Sequence, residues 1–270
     1  MDKNVLVIIG VGGMGLAVAR RQGPGKHILI ADFNTETLAA AARTLTDEGH
    51  SVTTRQVDVG TPESVASLAD TAASLGAVTE VVHTAGLSPT QADSESILKV
   101  DLLGVALSLD AFGQIIAPGG AGVVISSMAG YLGGGGLDGE QEKALARTPA
   151  AELLQLPFLS TDVAPGLNYS IAKRANTLRV QAASGQWGAR GARINSVSPG
   201  VISTAMGQQE LAGESGAGMR MMVDLSATKR LGTPDDIASA VAFLLGPDAT
   251  FISGVDLLVD GGAVAAVKSM

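Results

Sequence analysis

Tyr169 and Lys173, in Tyr169-Ser170-Ile171-Ala172-Lys173, are four positions apart, which stacks a phenol and an ammonium on one face of a helix. A free phenol ionises near about pH 10, too high for proton exchange at neutrality, but an adjacent cation stabilises the phenolate and draws it toward the working range. The pair is thus a candidate for moving a proton to or from a substrate oxygen. In isolation such a spacing is most often a solvated helix face. Here Tyr169 is one of only two tyrosines, and a second motif lies upstream.

That motif is Gly10-Val11-Gly12-Gly13-Met14-Gly15, a G-x-G-x-x-G run whose glycines permit a tight turn and let a pyrophosphate reach the amides of a helix N-terminus. It follows the apolar run Val5 to Ile9 and precedes a helical pattern, the context that separates it from a chance turn in a chain with 35 glycines. Asp32 follows Gly10 by 22 positions, where a carboxylate accepts hydrogen bonds from an adenosine ribose. The same carboxylate repels a 2'-phosphate and neighbouring Phe33 and Asn34 supply no cation, so the expected cofactor is NAD rather than NADP. Asn34 is the better placed of the two to cap the next helix.

Strand and helix patterns alternate around these motifs. Short buried-type runs occur at Val5–Ile9, Ile28–Ala31, Val52–Val59, Val78–His83, Gly122–Ser126, Arg193–Val197 and Val255–Val259. Between them lie helical patterns at Met14–Gln22, from Asn34 to near Gly49, and from Thr61 and Pro62 to near Gly76. Further ones run from about Ser94 to Ile116, from about Asn168, and from Thr233 and Pro234. Such crossover units predict a single α/β domain over 1–270, a doubly wound, seven-stranded parallel sheet with helices on both faces. Two stretches break the rhythm. Residues 131–166 contain the Gly133 to Gly136 run and the apolar Leu153, Leu154, Leu156, Phe158 and Leu159, and are expected to form a gating insertion over the site. Residues 200–230, with Met206, Met219, Met221 and Met222, are expected to form a soft substrate loop.

Composition narrows the function. The chain has 270 residues, 46% hydrophobic and 16% charged, enough for a large core. With no cysteine and three scattered histidines (His27, His50, His83), no metal site is expected. A formal charge of -8 argues against nucleic acid as a partner. No apolar stretch approaches the ~20 residues of a membrane helix, and the opening run is too short for a signal peptide, so no membrane partner and a cytoplasmic location are expected.

The chain resembles the short-chain dehydrogenase/reductase family over essentially its whole length. Ser126-Ser127-Met128-Ala129-Gly130 resembles the family's catalytic-serine motif, with Ser127 at the serine position, and Tyr169 with Lys173 matches its Y-x-x-x-K pair. Asp58-Val59 matches the adenine-binding pair, and His83-Thr84-Ala85-Gly86 is similar to its N-N-A-G turn. The stretch from Asn195 through Pro199, Gly200 and Ile202 to Thr204 matches the segment that meets the nicotinamide carboxamide, while Arg230 to Asp236 and Val259 to Gly262 are typical of it. The resemblance implies that Tyr169 exchanges the proton, that Lys173 lowers the phenol's pKa and holds the nicotinamide ribose, and that Ser127 hydrogen-bonds the reacting oxygen. It implies cofactor contacts at Gly10, Gly12, Gly13, Met14, Gly15, Asp32, Phe33, Asp58, Val59, Thr84, Ala85, Gly86, Tyr169, Lys173, Pro199, Gly200, Ile202 and Thr204.

Departures from the family pattern are specific. The glycine fingerprint is one residue short, with Ile9 in place of threonine. Asp101 stands where the family has a proton-relay asparagine; it either holds the relay water or repels the phenolate. His83 reads as structural. Ser127 and Tyr169 lie 42 positions apart, which locates the insertion and, with the AVAAVKSM tail, resembles the 3α-hydroxysteroid dehydrogenase/carbonyl reductase subgroup. The expected activity is hydride transfer between NAD(H) and an apolar secondary alcohol or ketone, extending to steroid-like molecules. Alternatives are a non-catalytic NAD(H)-binding regulator and a 3-oxoacyl thioester reductase of the same family. The resemblance also implies a homotetramer, or a homodimer if the insertion covers one helix-packed interface.

Overall fold

A computed structural model describes residues 3–133, 136–213 and 215–270. Its first half alternates β1 (Asn4–Ile9), α1 (Gly13–Gln22), β2 (His27–Asp32), α2 (Thr35–Asp47), β3 (Ser51–Gln56), α3 (Pro62–Leu75) and β4 (Ala77–His83). There follow α4 (Ser94–Ile97), a π-helical segment Leu98–Leu103, α5 (Gly104–Ile115), β5 (Ala121–Ile125), α6 (Gly139–Arg147), α7 (Ala150–Leu153) and α8 (Pro165–Ala189). The chain ends with β6 (Arg193–Pro199), α9 (Ala205–Ala212), α10 (Gly216–Leu225), α11 (Pro234–Leu245), β7 (Asp256–Val259) and α12 (Ala263–Lys268).

The seven strands form one sheet in the order β3-β2-β1-β4-β5-β6-β7, every neighbouring pair parallel. Strand periodicity divides the core between its faces. Val5, Val7 and Ile9 of β1 join the cluster beneath α3, α5 and α8, which includes Leu68, Phe112 and Trp187; Leu6 and Ile8 join the opposite cluster beneath α1, α2 and α11. Trp187, fully buried, satisfies its indole by donating to the Leu109 carbonyl at 3.2 Å. Strand order reverses between β1 and β4, which opens a crevice at the carboxyl edge of the sheet, the place where ligands of such folds bind.

Local departures from the sequence expectation have identifiable causes. β3 stops at Gln56 rather than Val59, because Asp58 turns the chain: its carboxylate accepts from Gly60 N and the Thr61 hydroxyl, both at 2.9 Å. Thr61 therefore makes no side-chain cap, whereas Asn34 caps α2 as expected, accepting from Glu36 N and Thr37 N. The helix expected from Ser94 to Ile116 is interrupted by the π turn that carries Asp101. The tyrosine helix starts at Pro165, a first-turn position that needs no amide hydrogen bond. Both rhythm-breaking stretches contain helices, α6 and α7 in one and α9 and α10 in the other. No helix among the described residues is long and apolar enough to cross a membrane.

Candidate active site

The glycine turn lies at the switch-point crevice. Gly10 has φ +92°, and a Cβ there would stand 2.5 Å from the Ala85 amide nitrogen; a Cβ on Gly15 would collide with the Gly10 carbonyl. The turn is clamped from β4, since Thr84 N and Ala85 N donate to Ile9 O at 2.7 and 2.8 Å, and the Thr84 hydroxyl donates to Gly10 O at 2.6 Å. The Thr84 hydroxyl thus adds a side-chain clamp to the backbone bonds. Gly12 caps α1 without any side-chain hydrogen bond, and no atom lies within 4 Å of where its Cβ would be. Space and free amides at a helix N-terminus suit a pyrophosphate. Met14 packs beside the turn. Asp32 accepts from Val11 N and Asn34 N, each at 2.9 Å, so one carboxylate fastens the turn to β2 and retains acceptor capacity for a ribose. Phe33 beside it is 69% exposed.

Other cofactor candidates divide into open and packed groups. Asp58 lies 3.5 Å from Lys99 Nζ; burial, the largest single influence, would raise its pKa, but the bonds from Thr61 and Gly60 and the Lys99 charge bring it below the ordinary value. Val59 is buried, and a Cβ on Gly104 would meet its side chain at 2.7 Å. Gly200 approaches Asp260, and its N–H donates to Val259 O, just past Pro199. Ile202 bridges to Gly232. Thr204 caps α9 by accepting from Gly207 N at 3.0 Å, and its methyl would lie 3.1 Å from a Cβ on Gly13, so it joins the far half of the site to the glycine turn.

Ser127 follows β5 in extended conformation, and its Oγ accepts from Ala129 N at 3.2 Å. Tyr169 and Lys173 come from the first turns of α8, with Lys173 Nζ 5.4 Å from the Tyr169 ring centre. α8 is tied to β5 where Ser126 Oγ donates to the Lys173 carbonyl at 2.6 Å. Tyr169 keeps accessible surface, while the side chains of Lys173 and Asp101 are 6% and 0% exposed. Asp101 Oδ2 stands 3.1 Å from Lys173 Nζ in an ion pair not aligned as a hydrogen bond, and Oδ1 accepts from Leu87 N at 2.8 Å. Gly86 makes room for this pair: a Cβ there would sit 3.1 Å from Nζ and 3.3 Å from Oδ2. The structure thus brings all four catalytic candidates together, with Asp101 paired directly to the lysine.

The electrostatics correct one expectation. The Tyr169 phenol is held above its ordinary value rather than drawn toward neutrality: burial dominates, Asp101 and Glu210 add to it, and Lys173 with a hydrogen bond involving Ser127 only partly opposes. Burial pulls Lys173 downward, but Asp101 and Tyr169 reverse that and keep its ammonium charged. Asp101 is itself raised by burial against the pull of Lys173. His83 is buried with both ring nitrogens unpartnered, and burial, helped by the Lys173 charge, lowers it to about 3, so it is neutral and structural. Tyr131 donates to Asp256 Oδ2 at 2.6 Å, and burial and that carboxylate raise its pKa strongly. No metal-binding group of three ligands occurs among the described residues.

The insertion's apolar side chains face the body of the protein rather than the crevice. Leu145 and Leu153 are fully buried against Leu98, Leu102, Ile171 and Ala175, with Leu156, Phe158 and Leu159 packed alongside; only Leu154, 37% exposed, faces outward. Arg174 Nε donates to Glu142 at 2.6 Å, and the buried Arg179 donates to the Leu145 and Thr148 carbonyls. Of the glycine hinge, Gly134 and Gly135 lie outside the described residues. In the other stretch, Met219 and Met222 pack with Leu132, Tyr131 and Met128, and Met221 is 57% exposed. Sequence reasoning missed Glu210 of α9, a half-buried carboxylate whose pKa is raised by burial and whose charge influences Tyr169. No local pattern announces it.

A doubly wound sheet with an open, glycine-lined helix terminus at its switch point and a Ser-Tyr-Lys cluster beside it defines a nicotinamide-dependent oxidoreductase. The chain belongs to the short-chain dehydrogenase/reductase family. Residues 3–137 match the family described as short chain dehydrogenase, and residues 141–264 match one described as enoyl-(acyl carrier protein) reductase. It is 43% identical over 270 residues to the short-chain dehydrogenase/reductase bsc3 of Alternaria brassicicola, covering 98% of this chain and 97% of that one. It is 28% identical over 276 residues to the D-threitol dehydrogenase of Mycolicibacterium smegmatis, covering 97% and 93%. A structure of a variant actinorhodin polyketide ketoreductase with NADPH superposes with a TM-score of 0.76 at 21% identity, covering 97% of each chain.

Proposed function

We propose that this oxidoreductase interconverts a secondary alcohol and a ketone with NAD(H), on substrates with an apolar body that extend to steroid-like molecules. The observation that carries the reading is the convergence of Ser127, Tyr169, Lys173 and Asp101 beside the glycine turn, with Ser127 and Tyr169 partly accessible and Lys173 and Asp101 buried. When bound, the nicotinamide supplies or accepts the hydride. The chain's own groups orient the substrate and handle charge and proton. Ser127 Oγ donates to the reacting oxygen, and Tyr169 delivers its hydroxyl proton there in reduction or removes it in oxidation. Lys173 favours the phenolate that results. Free amides at the start of α1 receive the pyrophosphate, and Asp32 receives the adenosine ribose and disfavours a 2'-phosphate, which supports NAD over NADP.

The 200–230 stretch, with α9 and α10, is the proposed substrate wall, which the influence of the Glu210 charge on Tyr169 supports. A second copy of the chain is the proposed macromolecular partner, docked around α11 and β7, where Phe243 and Phe251 are exposed and which the insertion leaves uncovered. The test is steady turnover of the full chain with NAD(H) and NADP(H), against a panel of secondary alcohols and ketones of increasing size and one 3-oxoacyl thioester. The account expects turnover of a bulky ketone and at least a tenfold NAD preference. Equal use of both cofactors would reject the role of Asp32, and cofactor binding without turnover of any member would favour a regulator.

A further inference from the structure

A cation beside a phenol is normally uncompensated, and its whole charge favours phenolate. In this chain the cation has a second partner, a carboxylate. Asp101 and Lys173 meet at 3.1 Å in a site from which water is nearly excluded, while the ammonium stands 5.4 Å from the Tyr169 ring centre. The carboxylate cannot swing away. Its other oxygen holds Leu87 N at 2.8 Å, the π turn fixes its backbone, and Gly86 packs against the pair from the other side.

We infer that Asp101 sets the pH range of the proposed reaction, by engaging the Lys173 ammonium so that Tyr169 stays a proton donor through neutral pH and becomes a base only in the alkaline range. The inference rests on the alcohol/ketone reading above. In reduction, hydride adds to the carbonyl carbon as the C=O π bond breaks, and the Tyr169 proton goes to the oxygen; the nicotinamide is oxidised and the phenolate is reprotonated from solvent. Oxidation runs the same path backwards and needs the phenolate. The chain is therefore ready to reduce at neutral pH and gains oxidative activity only as pH rises.

The other groups around the phenol do not cancel this effect. Glu210 of α9 adds a second negative charge, while Ser127 after β5 and Lys173 on the same helix oppose it. His83, at the end of β4, faces Lys173 as a neutral ring. Removing the Asp101 charge leaves the ammonium unshared, and phenolate then forms at lower pH. An opposite or like charge within this range moves a pKa by about one unit or more.

Alkaline titration of the cofactor-free protein, read as phenolate absorbance, tests this without relying on turnover. Only two tyrosines contribute, and Tyr169→Phe identifies which step belongs to Tyr169. The wild-type chain is expected to show no phenolate step below about pH 10, the ordinary phenol value. Asp101→Asn keeps the size of the side chain and an acceptor for Leu87 N, and is expected to move the Tyr169 step down by about one unit while leaving the Tyr131 step in place. The pH profile of ketone reduction should lose its alkaline limb about one unit earlier in the same variant. A Tyr169 step that stays in place or moves upward in Asp101→Asn would overturn the inference. If that variant does not fold, the wild-type titration decides alone, and a Tyr169 step near neutral pH would overturn it. A chain that shows the shift in absorbance but turns over no alcohol or ketone would keep the electrostatic inference and reject only the proposed function.

Discussion

Two long excursions, residues 131–166 and 200–230, approach the same tyrosine and are held in opposite ways. The first places Leu145 and Leu153 in an apolar cluster with the π segment, α5 and α8, and adds hydrogen bonds from the buried Arg179 and Asn168. The second keeps much of α9 and α10 exposed, rests on the partly buried Met219, Met222 and Leu211, and meets the loop after β4 at the exposed bond from Gln91 to Gln209, 2.9 Å. Apolar residues near a site therefore do not mark its lining. Leucines that bury fully on the body hold the first stretch down, whereas the second has little buried surface to hold it.

This contrast yields ordered expectations. Leu153→Ala should cost about 2–5 kcal/mol of stability, as for large-to-small changes in a packed core, read as a lowered Tm, while the turnover of folded molecules stays near normal. A selective rise in KM for bulky ketones without loss of stability would instead make the insertion a gate. Arg179→Met, which leaves the Leu145 and Thr148 carbonyls without their charged donor, should cost about 1.5–3 kcal/mol in denaturant unfolding. Breaking the partly exposed pair with Glu142→Ala should cost no more than about 1 kcal/mol and become less costly in high salt. Glu210→Gln should change Tm least, within about 0.5 kcal/mol, yet move the Tyr169 titration in the same downward direction as Asp101→Asn and by less, since Glu210 is the weaker of the two carboxylate influences. Large destabilisation by Glu210→Gln together with little by Leu153→Ala would reverse the comparison.

What was legible in the sequence was what local chemistry decides. The continuous apolar run of β1, the glycine turn with Asp32 and the Tyr169–Lys173 face each follow from the pattern within one strand, turn or helix, and the structure joins them at one edge of the sheet. The destination of the insertion was not legible, because Leu153, Leu156, Phe158 and Leu159 have the same pattern whether they meet a ligand or α8. Nor was the direction of the Tyr169 shift, which depends on burial and on two carboxylates, Asp101 and Glu210, brought from other elements. Nor was the turn at Asp58, where the carboxylate accepts from Gly60 N and the Thr61 hydroxyl just beyond β3, while Thr61 makes no side-chain cap.

The most direct test of the account compares Tyr169→Phe with the wild-type chain, measuring turnover of one ketone alongside NADH binding. The variant keeps the ring and loses the transferable proton, so turnover should fall by about 10²–10⁴-fold with binding nearly unchanged. Turnover within a few-fold of wild type would contradict the assignment of proton transfer to Tyr169.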